Sequence, residues 1–515
     1  MLQAFFVFDD PFSRQVAMTK VQTFFVSLLI ATVFVSVLFA DLLPLPVGSY
    51  AFQRFLQVCL LAIICTGAGA LYISRYGIEA KKHLWPVLII ASSFVLLAFP
   101  FRTSPYAWVE PGLYAAFFYG FVAIGNLASS ETTKHQWAVI LVYCAVVAVA
   151  FYGATTIMVY LFALSDEVSQ LSAFIPWGFV NIRYWSHIAT WLMPLLPLAI
   201  LVGPLRNQRL WRFFCALATA VWWWVIFLST SRGTMLGLIF GLFVVLIFIG
   251  RPALPWGKVF LRYLGYGLVA WLILSVLVPS ILIDELNVRT LHAGSAGRIP
   301  LFLEAWRMSF ENFPLGMGPQ SWLTHETLTE EYLKSSKFGH PHNMYLMWVA
   351  EYGWLIVGAL MFLVTRAIRL FWLRLRELRD ENQETSVLIL AAFTASVSAA
   401  LLHAGASSVF IAPGSMLIGF FVLCVFWALI SPNRIATSQL GAGNKAVFAA
   451  ASIAIGLVAF LWLREVVIYY EAMLEDRNYH FETAPYGTPP RFWHYGMFPR
   501  PPSEMIRDEP GSFTE

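Results

Sequence analysis

Thirteen apolar runs, most of them about 20 residues long, divide this chain, and no other feature limits its fold as strongly. A run of that length crosses the hydrocarbon core of a bilayer as an α-helix, which satisfies every backbone N–H and C=O internally where no water is available. The runs lie near residues 21–40, 55–74, 85–101, 112–128, 137–163, 185–203, 213–230, 233–250, 261–280, 343–365, 386–405, 412–430 and 445–463. With 59% hydrophobic and 12% charged residues, the chain is not a soluble globular protein. The expected fold class is therefore an all-α polytopic membrane protein of about 12–13 transmembrane helices. The first run is long for a signal peptide and lacks a small-x-small cleavage site, so it is expected to be retained as a span. All five cysteines fall within apolar runs, with no spacing that suggests a metal site or a disulfide framework.

The net charge of +4 is too small to point to nucleic acid, but the distribution of charge is informative. With the N-terminus in the cytoplasm, nineteen lysines and arginines fall in cytoplasmic connections and four (Arg54, Arg102, Arg183, Arg232) in short outer ones. The positive-inside rule then places the long polar stretch from about Asp284 to Gly353, and the tail after Arg464, on the outer side, which in a bacterium is the periplasm. Residues 1–463 are expected to form one multi-span domain with a large periplasmic loop at about 281–342, and residues 464–515 a periplasmic tail. That tail, rich in proline, aromatics and charge, reads as irregular and without chemistry. The stretch Arg366 to Asp380 reads as a basic amphipathic extension of the tenth span, next to anionic lipid. Trp222, Trp223 and Trp224 face nearly all ways round one helix, so packing is their expected role. Glu330 and Lys334 are spaced to pair on a short surface helix. Asp9-Asp10 reads as a cap or surface pair.

Polar residues at the edges of apolar runs are the candidates for chemistry, because charge at membrane depth is costly unless paired or used. Arg232 opens the eighth run in Thr230-Ser231-Arg232-Gly233, on the side where the charge bias disfavours arginine. Asn181, Arg183 and His187 flank the start of the sixth run, and Arg183 and His187 share a helix face, which fits either function or a structural polar contact. Arg298 stands between Gly297 and Pro300, at a turn into the helix carrying Glu304 and Arg307. A cation at a helix N-terminus opposes the helix dipole unless an anion is also bound there, and a phosphate would resolve the conflict. Two arginines from separate segments could grip a pyrophosphate through planar bidentate donors. Within His340-Pro341-His342-Asn343, Asn343 is a good N-cap for a continuous helix over Met344 to Leu370, about 40 Å long. The dipole of that helix would favour a neutral His342 able to accept a proton. A P-loop, a nucleophile elbow and an H-E-x-x-H motif do not occur in the sequence.

Three motifs carry a resemblance: T-S-R-G opening a span at Thr230, G-R-x-P-x-x-x-x-A-W from Gly297 leading to F-P-L-G-M-G at Phe313, and H-P-H-N-M-Y-L-x-x-x-x-E-x-G-W from His340. Together with the span count, they make residues 180–430 similar to the O-antigen ligase and polymerase superfamily of bacterial envelopes. The resemblance implies a GT-C-like membrane fold and a metal-independent, inverting glycosyltransferase without a cofactor, acting at the periplasmic face of the inner membrane. The donor would be a glycan on undecaprenyl pyrophosphate. The acceptor would be lipid A-core (ligase), a second lipid-linked glycan (polymerase) or a protein hydroxyl (O-oligosaccharyltransferase). By motif position, Arg232 and Arg298 would hold the pyrophosphate and His342 would be the base. Arg183, His187, Arg307, His340, Asn343 and Glu351 would bind or orient substrate. A thirteenth span and an outward tail depart from the twelve-span ligase pattern. The rival class is a transporter of lipid-linked sugars, which would place its polar residues near the membrane midplane and across both halves of the fold.

Overall fold

The structure, a computed structural model, describes residues 20–76, 80–101, 107–128, 130–168, 171, 174–179, 181–283, 297–335, 338–433, 442–483 and 491–493. Arg14, Arg102, Lys337, Arg434, Asp9-Asp10 and the tail beyond residue 493 lie outside the described residues. Among those described there is no strand. The helices are α1 (Lys20–Leu38), α2 (Tyr50–Tyr76), α3 (Ala80–Ala98), α4 (Val109–Leu127), α5 (Glu131–Ser165), α6 (Ile182–Leu192), α7 (Arg209–Leu228), α8 (Arg232–Phe248), α9 (Leu254–Trp271) and α10 (Val278–Leu282). After the polar loop begins come α11 (Arg298–Glu311), α12 (Glu330–Leu333), α13 (Met344–Tyr352), α14 (Trp354–Asp380), α15 (Glu384–Ala404), α16 (Pro413–Ile430) and α17 (Ala442–Thr483).

All thirteen apolar runs are helical, and ten helical segments among the described residues are long and apolar enough to cross a membrane. The chain is a multi-pass membrane protein. The other three runs fall short for separate reasons. α4 carries Glu110 and Asn126, both buried; α6 stops after 11 residues before a 3-10 turn at Leu196–Ile200; and α8 has 17 residues. Large apolar side chains such as Phe151, Phe162, Phe243, Ile247 and Ile453 point outward, as a lipid-facing surface requires. Inside, Trp222 and Trp224 are fully buried and donate to the Val149 carbonyl at 3.0 Å and the Ser275 hydroxyl at 2.9 Å, so the tryptophan run does pack.

Close helix pairing sets the frame around the site. α8 lies against α15 along a stripe of Gly233, Gly237 and Gly241. A Cβ added at Gly237 or Gly241 would come within 2.7 or 2.4 Å of the Ala399 or Ala395 carbonyl oxygen, and one at Gly233 within 2.5 Å of the His403 ring. Small residues at this spacing let two backbones meet, which is how membrane helices pack without a hydrophobic driving force. The stripe begins one residue after Arg232, so the same contact fixes where that guanidinium starts.

The polar loop folds as a small cap with a core of its own, built from Leu301, Ala305, Met308, Trp322, Tyr332 and Ala350. Its hub is the buried carboxylate of Glu304, which accepts from His325 Nε2 (2.8 Å), Leu328 N–H (2.8 Å) and Thr329 Oγ1 (2.6 Å). At its surface Glu330 and Lys334 do pair, at 3.7 Å, and both are exposed.

Three expectations need correction. The helix after Asn343 is not continuous, because it breaks at Gly353 (φ +82°), and the membrane-length segment is Trp354–Asp380. The break exists because F-P-L-G-M-G docks there. Met317 and Gly318 donate their N–H groups to the Ala350 and Glu351 carbonyls (2.9 Å each), and Trp354 N–H donates to the Pro314 carbonyl (3.0 Å). A Cβ at Gly316 would lie 2.1 Å from the Glu351 carbonyl carbon, and one at Gly353 2.3 Å from the Pro314 oxygen, so glycine is required on both sides of the contact. The basic stretch is not wholly lipid-facing either: Arg374 is buried, bonded to Glu131 and at 2.8 Å to Glu377. Finally, the region after Arg464 is helical as far as Thr483, and Arg491, Phe492 and Trp493 are buried in the membrane domain.

Candidate active site

Four helix N-termini meet at one end of the bundle. Asn181 caps α6, accepting from Arg183 N–H at 2.9 Å, and Asn343 caps α13, accepting from Tyr345 and Leu346 N–H at 3.0 and 3.1 Å. Arg232 is the first residue of α8, and Arg298 begins α11 after Gly297. The ends are joined by contact and by charge. Arg183 Nη1 lies 3.2 Å from His342 Nε2, and Arg298 feels the positive charges of both Arg183 and Arg232. Burial first, and then those two neighbours, make Arg298 easier to deprotonate than a free guanidinium. Three arginines at four positive helix ends, two of them exposed, form a strongly electropositive cluster suited to an anion.

His342 sits inside this field in a left-handed backbone conformation (φ +57°) and is 4% exposed. A guanidinium has no lone pair to offer, so Arg183 is the donor and His342 Nε2 the acceptor. In the neutral ring Nδ1 then carries the proton, and it finds no protein partner among the described residues. Burial, then Arg183, then Arg298 push the His342 imidazole down to about 3. The neutral state expected from sequence is thus present, but its cause is burial beside arginines rather than a long helix dipole. His340 is buried too, held well below the usual imidazole range chiefly by burial, and its Nδ1 accepts His342 N–H at 3.0 Å. It fixes the loop that carries His342.

A second polar layer lies just below. His187 Nε2 is 2.8 Å from Ser407 Oγ, His403 Nδ1 is 2.8 Å from Thr190 Oγ1, and the two rings stand 5.0 Å apart. Thr190 and Thr234 continue the chain, with hydroxyls 3.1 Å apart and both donating to the Ser186 carbonyl.

Of the nine residues picked from sequence, Arg183, Arg232, Arg298, His340, His342 and Asn343 come together, with His187 in the layer beneath. Arg307 does not join them: its exposed side chain pairs with Glu311 at 3.4 Å along α11. Glu351 is buried but committed elsewhere, accepting from Trp322 N–H at 3.1 Å and from Arg491. Arg491 also bonds both oxygens of Glu110 at 2.9 Å. Sequence reading passed over His403, Ser407, Glu110 and Arg491. A polar residue inside an apolar run could have marked His403, and one at the edge of a run Glu110, whereas Arg491 stands in a stretch with no periodicity at all.

Residues 213–363 match the family model described as O-antigen ligase. The matched segment, under a third of the chain, is similar to that family. It runs from α7 into α14 and contains Arg232, Arg298, His340, His342, Asn343 and Glu351, while Arg183, His187 and His403 come from outside it. No curated protein matches the chain. The match is therefore a similarity to a family of glycosyltransferase-like membrane enzymes of the ligase or polymerase kind.

Proposed function

We propose that the protein transfers a glycan from undecaprenyl pyrophosphate to a hydroxyl acceptor at the periplasmic face of the inner membrane, most simply as an O-antigen ligase acting on lipid A-core. The observation that carries this is the meeting of Arg183, Arg232 and Arg298 around His342. A pyrophosphate in the pocket would be met by permanently charged, planar donors and by backbone N–H groups at helix starts. As the bond between the anomeric carbon and the phosphate oxygen breaks, the electron pair leaves on the pyrophosphate, and the arginines stabilise that growing charge without reorganisation. His342 Nε2 removes the proton from the acceptor hydroxyl, whose oxygen attacks the anomeric carbon from the opposite side, with inversion. Arg183 links the two halves. It covers the Nε2 lone pair in the structure, and a bound pyrophosphate would draw the guanidinium away and free the base.

Arg232→Ala and Arg298→Ala should each abolish transfer from a lipid-linked glycan while leaving the protein in the membrane, and lysine should rescue poorly because it lacks the bidentate fork. Near-normal transfer in either alanine variant would assign that arginine to structure. A polymerase or protein O-oligosaccharyltransferase would use the same donor pocket and differ only in the acceptor.

A further inference from the structure

At the opposite end of α7 from Arg232, a cleft of about 600 Å³ opens between α7 and α9. It is lined by Arg212, Phe213 and Leu217 of α7 and by Arg262, Tyr263 and Tyr266 of α9, with Ile200, Ala216 and Ala220 completing its wall. Arg212 lies roughly 24 Å along the helix axis from Leu228, so this site stands on the other side of the membrane from the arginine pocket. The charge bias makes that side cytoplasmic.

Three features distinguish the cleft from an ordinary lipid-facing groove. Both arginines are exposed, and neither guanidinium bonds to another group among the described residues. No acidic residue lines the cleft. Tyr263 is 2% exposed, yet among the described residues its hydroxyl has no hydrogen-bond partner, and both arginines act on it electrostatically. A buried hydroxyl beside two unpaired cations is a donor set waiting for an acceptor with negative charge. Running on from it toward the bilayer interior, Phe213 and Leu217 are 65% and 55% exposed, an apolar track on which an acyl chain can lie.

We propose that this cleft binds one anionic phospholipid of the cytoplasmic leaflet. Its phosphodiester is held by Arg212, Arg262 and the Tyr263 hydroxyl, and an acyl chain lies over Phe213 and Leu217. The site is separate from the arginine pocket and does not depend on what that pocket does.

The test uses the full chain purified in mild detergent and titrated with dioleoyl phosphatidylglycerol or dioleoyl phosphatidylcholine, with bound lipid counted by native mass spectrometry. The wild type should retain one phosphatidylglycerol in clear preference to phosphatidylcholine. Arg212→Ala/Arg262→Ala should lower that retention roughly tenfold, and Tyr263→Phe should lower it severalfold. Arg369→Ala/Arg376→Ala removes the same charge from exposed positions on α14 outside the cleft and should change nothing. Because Arg212 and Arg262 bond to no group among the described residues, their loss should leave thermal unfolding and elution unchanged, so a misfolded variant would also count against the assignment. Equal retention of phosphatidylcholine, unchanged binding in the cleft variant, or an equal loss in the α14 variant would overturn it. So would stronger retention of undecaprenyl phosphate than of phosphatidylglycerol, since the occupant would then be a polyprenyl chain.

Discussion

If His342 is the base and Arg183 guards it, the enzyme should show two different acid limbs. In the free protein the imidazole is pushed to about 3. At about pH 5.5 only roughly 0.3% of molecules would then carry imidazolium, so kcat/KM for the donor should be flat across the acid range. Donor binding reverses the sign of the local field. One phosphate charge roughly 6 Å from the ring, at an effective dielectric of about 20, favours imidazolium by about 3 kcal/mol, which raises the apparent pKa by about 2. The kcat profile, which reports the donor complex, should therefore bend near pH 5 while kcat/KM does not. Arg183→Ala removes a positive neighbour and a hydrogen-bond donor, so it should raise the free-protein pKa and bring an acid limb into kcat/KM. His342→Ala should lower kcat by ~10²-fold or more and remove the limb altogether. Steady-state transfer measured from about pH 4.5 to 8.5 on the three proteins tests all of this. A wild-type kcat/KM limb near the ordinary imidazole value, unmoved by Arg183→Ala, would refute the coupling. A kcat limb that survives in His342→Ala would place the base elsewhere.

Three other outcomes follow from the same contacts. Arg491→Ala strips the shared partner from two buried carboxylates and should cost about 3–5 kcal/mol, read as a lower unfolding temperature; adding Glu110→Gln and Glu351→Gln should recover part of it, and no recovery would mean that the ion pairs are not the cause. Transfer should persist in excess chelator, because the charge on the leaving group is met by arginines, and activity lost on chelation and restored by a divalent ion would assign that task to a metal. Single cysteines at Lys334 and Arg376, both exposed, should be labelled by an impermeant reagent in spheroplasts at position 334 only, and the opposite pattern would invert the membrane orientation.

The helical class and ten of the thirteen spans were legible, though not the break at Gly353, because apolar length is a local property that needs no partner. The arginine pocket was legible for a related reason: Arg232, Arg298 and Asn343 each sit at a helix start, where a cation or a cap stands out from apolar surroundings. What the sequence hid was contact between distant segments. Gly353 reads as an ordinary glycine until Pro314 and Gly316 are laid against it, and then the helix must break. Glu351 was expected to bind or orient substrate, and the structure shows it bonded to Arg491, 140 residues further on, which no local pattern reveals. Arg307 directly follows the motif that carries Arg298, but on α11 it pairs with Glu311.

The central claim is that the arginine pocket takes a lipid pyrophosphate and gives up a glycan. Proteoliposomes holding the purified protein would be loaded with a fluorescent glycan on undecaprenyl pyrophosphate. Lipid A-core, a second lipid-linked glycan and a serine-rich protein would be offered in parallel, with products and released undecaprenyl pyrophosphate measured together. The account predicts that label moves to one of the three in step with pyrophosphate release, and that both stop in Arg298→Ala. Label that crosses the bilayer still attached to its lipid, with no release and no product on any acceptor, would make the protein a transporter and contradict it.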